Sequence, residues 1–210
     1  MAKAMSAREA HSLKIRNALV EACIELLGQY SIDAITINNI VEVAGVAKGS
    51  FYNHFPDKEA LAASISRAIR EEVEARVRDG NRNVTDPAYR ISRGISHHVK
   101  LAIDEPQRAT ILLRDHAMAT STNPLNQDVQ EDVLQGIEAG RFSPLCAEAG
   151  VVQLVGVTSA TMLRVIEEKL DANQAIDLTH KVLTLTLCGF GLSEEEALRI
   201  TCDSARDIIG

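Results

Sequence analysis

Apolar positions recur along most of this chain at steps of three and four residues, and that period predicts helices. Ile15, Ala18, Leu19, Ala22, Cys23, Leu26 and Leu27 fall on one stripe of an amphipathic helix ending near Gly28. Thr36 suits the N-cap of a short second helix with Ile37, Ile40, Val41 and Ala44 on one side, and Gly45 supplies a left-handed residue to end it. A third helix starts at Ala47 and runs to His54. Pro56 stops it, Asp57 caps a fourth helix from about Lys58 towards Gly80, and Leu61, Ile65, Ile69 and Val73 face inward. Pro87, Pro106 and Pro124 open the fifth, sixth and seventh helices, because the first turn has no partner for the N–H that proline lacks. Ser193 with Glu196 forms a capping box for a last helix to about Ile209.

Two stretches depart from this pattern. "GVVQLVGVTSATMLRVI", between about Pro144 and Asp171, is apolar or small on nearly every face, so its helix must be covered on two sides. "KVLTLTLCGFG" alternates Leu and Thr at a period of two, which reads as a strand. A solitary strand among helices would leave its ladder groups unpaired, whereas a helix satisfies its own, so a helix is expected here too. The fold predicted is all-α with about nine or ten helices, a three-helix N-terminal domain over 1–56 and a larger helical domain over 57–210.

Composition agrees, with 46% hydrophobic and 24% charged residues and only 3% aromatics, leaving the core to Leu, Ile, Val and Ala. No apolar run of signal type opens the chain and no uninterrupted apolar stretch reaches bilayer-spanning length, so a cytoplasmic protein with no membrane partner is expected. Cys23, Cys146, Cys188 and Cys202 are scattered without a C-x-x-C pair, which points to buried free thiols and to no metal site. The net charge of −7 is uneven: residues 1–58 hold six basic and six acidic side chains, so the acidic excess lies wholly in the remainder. Lys3, Arg8, Lys14 and Arg16, opposed only by Glu9, could serve phosphates or form a solvated tail.

Two short helices joined by "AGVA" have the geometry of a helix-turn-helix, whose second helix enters the DNA major groove. That second helix gathers Lys48, which can pair with phosphate or guanine, and Ser50 and Asn53, which can reach phosphate or base edges. The tips of Tyr52 and His54 can hydrogen-bond backbone oxygens. Phe51 and Phe55 read as core, and Gly49 permits close approach.

The stretch Thr36 to Leu61, "TINNIVEVAGVAKGSFYNHFPDKEAL", resembles the tetracycline-repressor-like (TetR/AcrR) family of bacterial transcription regulators. The resemblance continues more weakly through Gly140, Arg141 and Phe142 and through "GFGLSEEEA". It implies that Thr36, Tyr52, His54 and Lys58 anchor the DNA backbone while Lys48, Gly49, Ser50 and Asn53 face the groove. It also implies a homodimer on a palindromic DNA operator and a small-molecule effector that releases it. One position departs from the family: Ala47 stands where a serine usually caps the recognition helix, removing a cap worth about 1 kcal/mol.

Other chemistry has little support. "GVAKGS" lacks the spacing of a phosphate-binding loop, "GFG" lacks the third glycine of a dinucleotide fingerprint, and no catalytic constellation or cofactor motif appears. His98 lies on the apolar face of the fifth helix and His116 on the next, where each is either a satisfied core residue or a cavity group; the adjacent His97 is expected to face solvent. Arg114 and Arg164 interrupt apolar surroundings as salt-bridging or snorkelling groups, or as anchors for an anionic effector. Met118 and Met162 read as core filler. A greasy effector pocket anchored by His98, Arg114, His116, Thr158, Thr161 and Met162 is expected, together with a dimer interface at Val155, Met162, Leu183 and Leu185 on the eighth and ninth helices, and hence a hydrophobic effector. The rival reading is a helical interaction or ligand-carrier protein whose helix-turn-helix no longer reads DNA.

Overall fold

The computed structural model describes residues 6–114 and 126–210. The described residues form ten α-helices: α1 (Ala7–Gln29), α2 (Ile37–Ala44), α3 (Lys48–Tyr52), α4 (Lys58–Gly80), α5 (Pro87–Asp104), α6 (Pro106–Arg114), α7 (Gln127–Glu138), α8 (Cys146–Glu168), α9 (Ala172–Phe190) and α10 (Glu194–Ile209). A 3₁₀ turn at Ile32–Ala34, absent from the sequence reading, leads into α2. The all-α expectation holds. Two compact units, Met1–Ile69 and Arg70–Gly210, divide within α4. Lys3, His116, Met118 and Pro124 lie outside the described residues.

In the first unit α1 begins at a reciprocal capping box between Ser6 and Glu9, so Arg8, Lys14 and Arg16 belong to a helix. Leu19, Cys23, Leu27, Ile40, Phe51, Phe55, Leu61 and Ile65 are buried. Burial also pushes the Cys23 thiol up to about 12. The Phe51 and Phe55 rings lie 6.0 Å apart, and the Arg16 guanidinium sits 5.5 Å from the centre of the Phe55 ring.

In the second unit α5 packs on α6, α7, α8, α9 and α10 through Ile91, Ile95, Val99 and Ala102. The two weaker family motifs meet at one corner. Gly140 adopts φ 67° and turns the chain so that Phe142 packs on Gly136 and edge-on to Phe190 at 5.4 Å, while the Ser143 amide donates to the Phe190 carbonyl at 2.7 Å. Arg141 donates to Asp86 at 2.8 Å and to Glu196 at 2.7 Å. The capping box expected at α10 is therefore half-formed: Ser193 accepts from the Glu196 amide, but the Glu196 carboxylate is taken by Arg141.

The Leu/Thr alternation is helical, as α9. Thr184 and Thr186 donate to the carbonyls of His180 and Val182 one turn earlier, and in α8 Thr158 and Thr161 do the same. A threonine whose hydroxyl is satisfied this way packs as an apolar side chain. By length and composition α8 is apolar enough to cross a membrane, the one such helix among the described residues. Here it buries Val151, Leu154, Met162 and Val165 against protein. Its opposite face is not covered by this chain and leaves Val152, Gly156 and Leu163 exposed.

Candidate DNA-binding surface and regulatory cavity

Local signals set the geometry of the helix-turn-helix. Thr36 and Asn39 cap α2 reciprocally, since Thr36 Oγ1 accepts from the Asn39 amide and Asn39 Oδ1 accepts from the Thr36 amide. Gly45, at φ 65° and ψ 33°, ends α2, and the Val46 amide returns to the Val41 carbonyl at 3.0 Å. Ala47 occupies the N-cap of α3 without a side-chain bond, as its chemistry requires. The helix itself is shorter than expected, ending at Tyr52 with Asn53 as its cap.

Phe51 points into the core, and this orientation turns Lys48, Gly49, Tyr52 and Asn53 outward, with Tyr52 54% exposed. Ser50 and His54 are half-buried. A Cβ at Gly49 would meet no atom within 4 Å, so packing inside the chain does not demand glycine there. Thr36, Lys48, Tyr52 and Lys58 line one open concavity beside the first residues of α2, together with Asp33, Asp57 and Glu59. Gly49, Ser50, Asn53 and His54 lie outside that concavity. Lys58 is more constrained than its sequence context suggests: its Nζ donates to the carbonyls of Ile32 at 2.8 Å and Ile35 at 2.7 Å, and its side chain is 21% exposed.

Residues 19–65 match the family model described as bacterial regulatory proteins, tetR family. These residues form a tetR-family DNA-binding domain. The chain is 27% identical over 140 residues to the HTH-type transcriptional repressor KstR2 of Mycobacterium tuberculosis, covering 61% of this chain and 70% of that one. Its fold matches that of RolR in complex with resorcinol, with a TM-score of 0.66 at 21% identity, over 91% of this chain and 95% of that one. It also matches the regulator FadR from Bacillus subtilis in complex with stearoyl-CoA, with a TM-score of 0.66 at 19% identity, over 82% of this chain and 98% of that one. The family match and the repressor relative support a DNA-binding transcription regulator through the helix-turn-helix.

The second unit holds a cavity of about 80 Å³ among α4, α5, α7 and α8. Of the residues expected around a pocket, His98 and Thr158 line it, but Arg114, Thr161 and Met162 do not. Arg114 is exposed, Met162 is fully buried in the core, and the Thr161 hydroxyl is held by the Val157 carbonyl. Arg164, also exposed, pairs with Glu168. Nor is the lining as greasy as its helices suggest, because Arg70, Glu74, Arg90, Asn126 and Asp132 join it. Arg70 donates to Asn126 at 2.7 Å, and Arg90 Nε pairs with Asp132 at 2.7 Å. Burial raises the Asp132 carboxyl to about 6, further than the Arg90 charge brings it down. Sequence reasoning missed these groups although one signal was present: Arg90, Gly94 and His98 recur at four-residue steps and so share one face of α5.

Three expectations need correction. His97 does not face solvent; its Nε2 is buried against Gly80 without a hydrogen-bond partner among the described residues, and burial lowers its pKa to about 4. Met162 and Leu183, expected at a dimer interface, are both 0% exposed within the single chain, whose own core they fill. Val155, also expected there, is half-buried and lines the cavity, whereas Leu185 is 75% exposed.

Proposed function

We propose that this chain is a ligand-responsive repressor that binds a palindromic operator as a homodimer in the cytoplasm and is released by a small effector. The observation that carries the DNA-binding part is the outward array on and beside α3. Thr36, Lys48 and Tyr52 meet in one concavity, with Gly49, Ser50, Asn53 and His54 beside it; in this reading Thr36, Tyr52, His54 and Lys58 anchor phosphates while Lys48, Gly49, Ser50 and Asn53 meet base edges. Charge supports this reading, because positive potential is needed only where phosphate is touched and an acidic body limits non-specific binding elsewhere.

One five-residue helix reads few base pairs, so two copies are required for a specific site. The surface favoured for dimerisation is the uncovered side of α8 and α9: Val152, Gly156 and Leu163 on the first, Leu185 and Gly189 on the second. Exposed leucine and valine beside glycines that touch nothing in the chain suit close approach of symmetry-related helices. The cavity supports the effector part. Its α4 wall begins at Arg70, and α4 carries residues of both units, so an effector that selects one setting of this helix alters the spacing of the recognition helices.

Selection of bound sequences from a random DNA pool, followed by gel shift, tests the proposal. A two-fold symmetric site bound by the dimer is expected. The Lys48→Ala/Tyr52→Ala double variant is expected to lose affinity and Asn53→Ala to change base preference; a folded wild-type chain that selects no sequence would favour the carrier reading instead.

A further inference from the structure

The α4 and α5 walls of the cavity bring two hydrogen-bonding groups opposite one another. His98 Nδ1 lies 2.9 Å from the carbonyl oxygen of Gly94. A carbonyl only accepts, so Nδ1 carries the hydrogen and Nε2 is the ring atom left for other partners. Nε2 stands 3.8 Å from Glu74 Oε1, too far for a direct hydrogen bond, and His98 is the one ion-pair partner of Glu74 among the described residues. Both side chains are largely withdrawn from water, at 13% and 15% exposure, and both line the cavity. A hydroxyl oxygen set to one side of this pair, in the cavity, reaches both: its one hydrogen goes to the carboxylate, and its oxygen accepts from Nε2 in the imidazolium form.

The remaining lining decides against an anion. Arg70 is engaged by Asn126 and Arg90 by Asp132, while the carboxylates of Glu74, Asp128 and Asp132 border the same space. Asp128 and Asp132 are paired with Arg78 and Arg90, and Arg70 is held by the neutral amide of Asn126, so an added carboxylate seated beside His98 gains no guanidinium of its own there and meets the Glu74 carboxylate directly. Val77, Ile91, Ile95 and Leu154 supply apolar wall. A cavity of about 80 Å³ is smaller than the roughly 150 Å³ that holds benzene, so one ring enters only with side-chain adjustment and a multi-ring body exceeds the space.

The geometry points to a small, uncharged, hydroxyl-bearing molecule of at most one ring as the effector class, with its hydroxyl seated between Glu74 and His98. This rests on the reading of the cavity as the effector site. Titration calorimetry of the full chain with phenol, cyclohexanol, toluene and benzoate tests it. Phenol or cyclohexanol is expected to bind more tightly than toluene, and benzoate not to bind. Glu74→Leu and His98→Leu are each expected to weaken the alcohol roughly tenfold or more while leaving toluene within about twofold. Should Glu74→Leu fail to fold, the isosteric Glu74→Gln is expected to weaken phenol by about threefold or more. No heat from either alcohol, benzoate binding tighter than phenol, or alcohol affinity unmoved by these substitutions overturns the assignment. Phenol that binds with the expected pattern yet leaves DNA affinity unchanged upholds the ligand class and overturns only the release mechanism proposed above.

Discussion

Lys58 Nζ donates to the carbonyl oxygen of Ile35 at 2.7 Å, joining the start of α4 to the segment that enters the helix-turn-helix. With its second bond to Ile32, this ammonium closes the loop around the 3₁₀ turn. Lys58→Met is accordingly expected to lower the stability of the chain by about 1–2 kcal/mol, because two carbonyls lose a charged donor at a partly buried site. Denaturant unfolding measures this. The salt dependence of DNA binding, taken well below the melting temperature, separates a phosphate contact from this internal role. A slope reduced by about 0.9 per recognition helix assigns the third hydrogen to phosphate, and an unchanged slope leaves Lys58 as internal support alone.

Gly136 packs directly beneath the Phe142 ring, and a Cβ there would overlap it. Alanine favours a helix interior over glycine, so propensity alone predicts that Gly136→Ala stabilises α7. Packing reverses that sign. Phe142 is buried and held edge-on to Phe190, so the ring cannot swing into solvent, and a net loss of about 1–3 kcal/mol is expected. Gly136→Ala combined with Phe142→Leu is expected to be less destabilised than the sum of the single changes, as measured by a double-mutant cycle in urea.

Asp132 and His97 give stability opposite pH dependences over one window. Burial raises the Asp132 carboxyl from 3.8 to about 6, so the folded state holds this proton more tightly than the unfolded chain. Its contribution is full below pH ~4 and is lost as pH rises through ~6. Burial, with the charges of Arg93, His98 and Arg76, lowers His97 from 6.5 to about 4; its contribution is full above pH ~6.5 and is lost as pH falls through ~4. The two largely cancel in the native chain. Asp132→Asn is expected to make stability rise more steeply with pH between about 4.5 and 6.5, and His97→Gln to make it rise less or fall. After allowance for solvent screening, each differs from wild type by about 1–2 kcal/mol across the window, as read by urea unfolding at each pH.

Leu185 and Leu183 sit two residues apart on α9 with opposite exposure. Leu185→Glu is expected to give a monomer by sedimentation with stability within about 0.5 kcal/mol of a dissociated wild-type chain, because the side chain touches solvent in the single chain. Leu183→Ala is expected to cost about 2–5 kcal/mol of folding stability through the cavity it leaves. A Leu185→Glu variant that stays dimeric at micromolar concentration would move the interface away from this face.

Many features that depend on neighbours a few residues apart were legible in the sequence, though the 3₁₀ turn at Ile32–Ala34 and the early end of α3 were not. The Thr36 cap, the Gly45 stop, the uncapped Ala47, the Asp57 and Asp86 helix starts and the α4 stripe of Leu61, Ile65, Ile69 and Val73 all follow from hydrogen bonds or spacing within one or two turns. The same proximity let the sequence nominate the proposed DNA-binding residues, since they sit on one short helix, the two residues that follow it and the two helix starts beside it. Only the tertiary structure decided what distant segments do to one another. Lys58 meets a loop 23 residues earlier, Arg141 draws Glu196 away from its cap across 55 residues, and Arg90 and Asp132 bring charge into a cavity that helix composition alone describes as apolar. Met162 and Leu183 were equally apolar candidates for a core or a partner, and Leu185 was too. Periodicity marks an apolar position without saying which neighbour covers it, because the hydrophobic effect rewards removal from water by this chain or by another alike.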